Sequence, residues 1–441
     1  MNKEQRAESK EQRAKRSEQR AEGNEQRATS KKQRAEDSEQ KAKGSEESGV
    51  DGGFEGLGAS PFFVERLRER SIIEPVEIQR RVIPRLLGGE GVLFSSPTGT
   101  GKTFAYLIPV FQKLTVSPAA ESPAPVNGPE ALILAPTYEL CSQIKQEAEF
   151  LAAGLERFKI SLLIGSAALG RQIESLKKDK PRIVVGNSGR VLQLAKMGKL
   201  RLSPRFLVLD EADRLTADEL YGETRELVSL IRSSPQTAAC SATLPDKCRD
   251  RLLPLMGKSV AVEETAGNAI LRDKIEHWAF FCEERDKISL LRSFLAALHP
   301  RKTLVFTGRG AQVGNIVSKL QYHGIPALGL FGDMDRKLRK QAMDDFRRGR
   351  STALVASDLA ARGLDVPGIT HVVSLDTGDD PDVYVHRCGR TARAGKQGVM
   401  ASFGDEGEMR RLAKLEKKLG IVVYPKELYG GRLLPAGAAN P

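Results

Sequence analysis

The feature that most constrains this chain is a double series of short apolar runs separated by helix-length amphipathic stretches. The first series is VLFSS (92–96), ALILAP (131–136), SLLIG (161–165), RIVVGN (182–187), FLVLD (206–210) and TAACSAT (237–243). Runs without polar alternation need cover on both faces, and parallel strands in an α/β layer have it. Around 264–275 the pattern lapses, and a second series follows: HWAFFC (277–282), TLVFT (303–307), ALGLF (327–331), TALVAS (352–357), THVVSLD (370–376) and GVMASF (398–403). Two α/β domains are therefore expected, over 50–263 and 276–425, joined by a linker at 264–275. The Pro- and Ala-rich segment 117–130 reads as a surface loop, and 426–441 as a C-terminal tail.

Ahead of these domains, residues 3–44 repeat a seven-residue unit, as in KEQRAES, KEQRAKR and SEQRAEG. Each unit offers one Ala as its only apolar residue, whereas a coiled coil needs two apolar positions per heptad. No seam can form, so residues 1–49 are expected to be a disordered, charged tail. Thirteen basic against nine acidic residues in 1–44 leave that tail at only +4. The whole chain carries 69 Lys and Arg against 57 Asp and Glu, a formal +12 that favours polyanionic partners, nucleic acid first among them. No stretch approaches the roughly 20 apolar residues of a membrane helix. Five scattered cysteines without a C-x-x-C pair, and an N-terminus without an apolar signal core, point to a reducing, cytoplasmic setting.

Chemistry enters at Ser96-Pro97-Thr98-Gly99-Thr100-Gly101-Lys102-Thr103, which follows one run and opens a probable helix. Gly99 and Gly101 allow backbone N–H groups to close around phosphates, Lys102 neutralises β/γ oxygens, and the Thr103 hydroxyl suits Mg²⁺. The first position is Ser instead of the usual Gly. A second constellation, Asp210-Glu211-Ala212-Asp213, ends the run FLVLD. Asp210 is placed to hold Mg²⁺, largely through water, and Glu211 to orient and activate an attacking water.

With these motifs the chain resembles the DEAD-box RNA helicases from about Phe54 to about Phe403. The resemblance implies two tandem RecA-like domains, each a mostly parallel sheet flanked by helices, that clamp ATP and one RNA strand between them. It implies adenine contact by Phe54 and Gln79, 25 positions apart, and ribose contact by Asp365 within Ala361-Arg362-Gly363-Leu364-Asp365. Ser241 and Thr243, with Asp213 and His386, are similar to the family's interdomain coupling residues. Within His386-Arg387-Cys388-Gly389-Arg390-Thr391-Ala392-Arg393, the resemblance makes Arg390 and Arg393 arginine fingers for transition-state charge.

For RNA the resemblance implies contacts from Pro136, Thr137, Gly165, Gly189, Arg190, Arg339 and Ser357. Here the chain also departs from the family. Tyr138 stands where the family has Arg, Asn187-Ser188 replaces Thr-Pro, Gly165-Ser166 replaces a Gly pair, Arg336 replaces Gln, and Phe331 replaces His. Such contacts grip phosphates without reading bases, so the departures bear on grip more than on sequence preference. The expected activity is RNA-stimulated ATP hydrolysis, using ATP and Mg²⁺, coupled to local RNA duplex unwinding. An ATP-gated RNA clamp with little unwinding is the alternative, and a DNA-directed motor a more distant one. Trp278 reads as core, and His277, His299, His323 and His371 lack ligand spacing.

Overall fold

Consecutive residues of the apolar runs enter opposite sides of two sheets, which is why the runs show no alternation. In the strand Thr303–Thr307, Leu304 and Phe306 join one core cluster while Val305 joins the other. Leu354 and Val355, Val372 and Val373, and Met400 and Ala401 divide the same way. Each such fully buried side chain contributes roughly 1.5–3 kcal/mol. The computed structural model describes residues 53–97, 99–116, 128–257, 260–265, 268–331, 334–361, 366–393 and 396–438, with backbone only at 268–270, 336 and 359. The repeat tail, Thr98, most of the 117–130 loop, Gly332-Asp333, the Arg336 side chain and Arg362 to Asp365 lie outside the described residues.

The chain divides into a unit ending at Gly56, of which the short helix Gly53–Gly56 is described, and a unit from Leu57 to Pro441. The second unit holds two RecA-like lobes. The first lobe's sheet contains β1 (Gly91–Ser95), β2 (Ala131–Leu134), β3 (Ile160–Leu163), β4 (Ile183–Gly186), β5 (Phe206–Asp210), β6 (Gln236–Ser241) and β7 (Val260–Glu264). All pair in parallel, in the order β3-β4-β2-β5-β6-β1-β7. The second lobe's sheet contains β8 (Ile275–Phe281), β9 (Thr303–Thr307), β10 (Ala327–Leu330), β11 (Ala353–Ser357), β12 (His371–Ser374), β13 (Gly398–Gly404), β14 (Val423–Tyr429) and β15 (Arg432–Pro435). Its order is β10-β11-β9-β12-β13-β8-β14-β15, parallel except for the final antiparallel pair.

All twelve apolar runs are strands, and three further strands were not legible. Residues 426–435 are no tail: β14 crosses the expected boundary at 425 and forms a hairpin with β15, turning at Gly430 and Gly431 with φ of 57° and 74°. The expected linker 264–275 holds the end of β7 and the helix Asn268–Lys274. Trp278 is in the second core beside Phe294. His277 is buried between the Tyr384 hydroxyl at 2.8 Å and the Leu271 carbonyl at 2.9 Å.

One polar strut holds the second lobe together. Glu408 caps the start of the helix Glu406–Leu419 by accepting from Asp405 N, accepts from Thr377 N at 3.1 Å, and pairs with the buried Lys287 ammonium at 2.7 Å. Glu284 meets the same ammonium at 2.7 Å and is half exposed. Removing one partner of a buried pair leaves a charge without compensation, so Glu408→Ala is expected to cost about 3 kcal/mol. Urea unfolding followed by circular dichroism checks this, with Glu408→Gln expected to lose less because its amide oxygen still accepts one of the two N–H bonds, which end on different carboxylate oxygens.

Candidate active site and nucleic-acid interface

Three adjacent strands of the first lobe end at one place, in the order β5-β6-β1. The phosphate-loop residues follow β1, Asp210 closes β5, and Ser241 closes β6 between them. Ser95 is registered with Ser241, and Asp210 with Cys240. The loop is tied to β6 by Ser96 N donating to Ser241 O at 3.2 Å. Inside it, the Ser96 and Thr100 hydroxyls lie 2.6 Å apart, and Thr100 also donates to Pro97 O at 2.7 Å. Gly99 and Gly101 have φ of 80° and 78°, where side chains are strained.

Lys102 opens the helix Lys102–Thr115 and donates to Ser96 O at 2.5 Å and Pro97 O at 2.8 Å, so its ammonium lies within the loop's curve. Burial pulls its pKa below the usual value, against the pull of Asp210, Glu211 and Asp213. The Gln79 amide donates to Gly101 O and accepts from Val76 N, both at 3.0 Å. It therefore braces the loop directly and retains one N–H and one lone pair. Phe54, on its own short helix, is buried.

Asp210 is 4% exposed and accepts from three donors: Glu211 N at 2.8 Å, the Cys240 thiol at 3.1 Å and the Tyr106 hydroxyl at 2.7 Å. Glu211 adopts φ 48° and ψ 53°, a left-handed conformation rare for a residue with a side chain. Burial pushes its carboxyl up to about 7; Arg390 opposes the shift, while Asp213 and Asp210 add to it.

The second lobe completes this site. Arg393 lies over the phosphate loop, where a Cβ on Gly99 would come 3.1 Å from its Cγ. Ala392, just before it, has φ 52°, a second strained position. His386 Nε2 approaches Asp213 Oδ2 at 3.4 Å across the lobes, and burial lowers the imidazole pKa. Ser241 Oγ and Asp213 Oδ1 are buried without hydrogen-bond partners among the described residues, while Thr243 faces Asp382 of the second lobe. Glu211, Asp213, His386 and Arg390 line one cavity of about 320 Å³ between the lobes. Arg387 instead forms a two-pronged pair with Asp358, at 2.7 and 2.5 Å, and serves the second lobe's interior.

At the other half of the first sheet, β3, β4 and β2 end beside a cavity of about 290 Å³ that brings together Pro136, Gly165, Asn187, Gly189 and Arg190. Thr137 and Asn187 cap the helices Tyr138–Ala152 and Ser188–Lys196, accepting from Leu140 N and Arg190 N. Arg190 donates to Gly165 O at 2.7 Å and Ala167 O at 2.9 Å, so it builds the cavity wall. Glu223 reaches the start of the second helix, where a Cβ on Gly189 would meet its Oε2 at 2.7 Å. Arg339 is not with these residues: it spans the lobes to Glu139 at 2.5 Å and donates to Ala360 O at 2.8 Å. Ser357 accepts from Ala360 N nearby.

Sequence reasoning passed over Tyr106, Cys240, Glu139 and Glu223. The position of Cys240, directly before Ser241 and three before Thr243, was the available signal for one of them.

Among the described residues no group of three or more His, Cys, Asp or Glu side chains could hold a metal, and no helix is long and apolar enough to cross a membrane. One buried carboxylate and one hydroxyl beside a phosphate loop fit Mg²⁺, which takes its remaining ligands from phosphates and water.

Two family models match the chain: DEAD/DEAH box helicase over residues 76–251 and helicase conserved C-terminal domain over 286–395. The DEAD-box ATP-dependent RNA helicase CshC of Bacillus cereus is 34% identical over 382 residues, covering 86% of this chain and 95% of that protein. The probable ATP-dependent RNA helicase YfmL of Bacillus subtilis is also 34% identical, over 376 residues, covering 85% and 96%. Among solved structures, S. cerevisiae Dbp5 bound to RNA and ADP BeF3 matches with a TM-score of 0.74 at 26% identity, covering 85% of this chain and 95% of that one.

The loop geometry makes Gly101 intolerant. A Cβ there would lie 2.5 Å from Gln79 Nε2 on a left-handed backbone, whereas Gly170 has nothing within 4 Å. Gly101→Ala should weaken binding of a fluorescent adenine nucleotide at least tenfold, about 1.4 kcal/mol, roughly the strain of one left-handed residue. Gly170→Ala should bind like the parent.

Proposed function

The chain belongs to the DEAD-box family of ATP-dependent RNA helicases, and from that premise we propose that it couples RNA-stimulated ATP hydrolysis to local opening of short RNA duplexes. The observation that carries this reading is the convergence of Lys102 and Glu211 from one lobe with Arg390 and Arg393 from the other. Catalytic groups divided between two lobes act together only when the lobes close, so turnover depends on whatever favours closure. RNA spanning both lobes is that ligand.

In this reading Lys102 and the loop N–H groups of residues 96 to 103 bind the phosphates. Gln79 and Phe54 hold adenine, and Asp365 the ribose. Because Gln79 also braces Gly101, base recognition and loop shape are linked. Thr103 and Asp210 would hold Mg²⁺, which when bound offsets phosphate charge. Glu211 takes the proton of the attacking water, and Arg390 with Arg393 stabilises the charge that develops on the transferring phosphoryl group. Asp213 and His386, with Ser241 and Thr243, carry the state of the nucleotide across the cleft. Pro136, Thr137, Gly165, Gly189 and Arg190 shape the first lobe's RNA groove, and Ser357 its continuation. Arg339, paired to Glu139, contributes through closure. Hydrolysis weakens the bridge made through the γ-phosphate and reopens the clamp. Five unpaired cysteines suit a cytoplasmic protein.

Glu211 serves as a base only when ionised, so activity falls as pH drops through its pKa. With that pKa near 7, kcat/KM for ATP at saturating RNA should rise tenfold per unit well below pH 7 and level off above pH 8. Glu211→Gln should abolish turnover while retaining ATP-dependent RNA binding. A parental rate in that variant would remove Glu211 from the role.

Tyr138 opens the helix Tyr138–Ala152 at the groove and is half-buried. Tyr138→Arg should tighten single-strand RNA binding and steepen the log–log salt slope by roughly 0.7, the contribution of one phosphate contact. An unchanged slope would place residue 138 off the RNA path.

A further inference from the structure

The helix Lys102–Thr115 buries Phe104 through Phe111 without a break, and within that apolar stretch Tyr106 is fully buried with a hydroxyl that must find a partner. Its partner is Asp210 Oδ2, at 2.7 Å. Tyr106 thus ties its own helix, which begins with Lys102 and Thr103, to the carboxylate at the end of β5 that would ligate Mg²⁺.

Lone-pair counting gives the arrangement a direction. An ionised carboxylate offers about four acceptor sites. On Asp210, Oδ1 accepts from Glu211 N and from the Cys240 thiol, and Oδ2 accepts from Tyr106. Both sites on Oδ1 are filled, and one remains on Oδ2.

We propose that Tyr106 and Cys240 are positioning residues for the metal-ligating carboxylate: Tyr106 fixes Asp210 Oδ2 from the helix, and Cys240 locks Oδ1 from the neighbouring strand. The inference rests on the reading of Asp210 as a Mg²⁺ ligand. Neither positioning residue touches substrate. Their effect is on how much Mg²⁺ the nucleotide complex needs, because groups that orient ligating carboxylates typically change metal affinity by about 10–100-fold.

The test is a Mg²⁺ titration of fluorescent ADP-analogue binding in the full chain, with apo thermal melting measured on the same variants. Tyr106→Phe should raise the Mg²⁺ midpoint about tenfold while leaving nucleotide affinity in EDTA at the parental value. Cys240→Ala should shift the midpoint in the same direction by less, and Cys240→Ser, which keeps a donor, should restore it. A merely packed phenol would lower the melting temperature and leave the midpoint where it was. A parental midpoint in Tyr106→Phe and Cys240→Ala, alongside a lost Mg²⁺ response in Asp210→Asn, would overturn the proposal and leave the ligand assignment standing. An unaltered Mg²⁺ response in Asp210→Asn would overturn both.

Discussion

Three parallel strands ending side by side make the nucleotide site possible. Because β6 lies between β5 and β1, the phosphate loop, Asp210 and Ser241 are brought within bonding range by backbone register alone. The hydrogen bond from Ser96 N to Ser241 O makes the loop continuous with the sheet. Ligands of open α/β sheets collect at such carboxyl-terminal strand ends. Three further strands of the same order, β3-β4-β2, end beside the groove we assign to RNA. In that assignment one sheet serves two ligands from one edge, and Asp210 on β5 is next to β2, the nearest strand of the RNA half.

Two of the five left-handed non-glycine residues among those described lie where the lobes meet. Glu211 and Ala392 both hold left-handed conformations without being glycine, at a cost of roughly 1–2 kcal/mol each. Each adjoins a group assigned to chemistry: Glu211 is the carboxylate proposed to activate water, and Ala392 precedes Arg393. Among the described residues the interlobe contacts include two partly exposed ion pairs, Arg339 with Glu139 and His386 with Asp213. Contacts of that kind are worth little singly, which suits a clamp that must open after each cycle.

The fold was largely legible because burial on both sheet faces writes itself into sequence as continuous apolar runs. The strands that escaped notice lack that condition. β7 is an edge strand with two of its five residues exposed and none buried, and β14, next to the edge strand β15, carries Pro425, Lys426 and Glu427. Of the site, the phosphate loop and Asp210-Glu211 were legible from chemistry and spacing, and the second-lobe residues from family resemblance. Tyr106 was hidden because its neighbours Ala105, Leu107 and Ile108 are equally buried, so nothing in the pattern separates a functional hydroxyl from core filling. Arg339 was expected at the RNA from family resemblance alone; its pairing with Glu139, 200 positions away, is brought about only by the fold.

In the proposed reading the first lobe's groove holds a polyanion with little side-chain charge. Tyr138 carries no positive charge, Arg190 is held by the carbonyls of Gly165 and Ala167, and Glu223 adds a negative charge beside Gly189. Beyond the Arg190 guanidinium, positive potential comes from backbone: the helices beginning at Tyr138 and Ser188 start beside the groove, capped by Thr137 and Asn187. A helix N-terminus carries about half a unit of positive charge spread over N–H groups of fixed direction. Such a surface favours a strand whose phosphates match the spacing of the helices and is indifferent to its bases. Fixed donors also lose their match when the strand bends or the lobes part, so grip in this groove is set by geometry, and ATP controls it through the closure it drives.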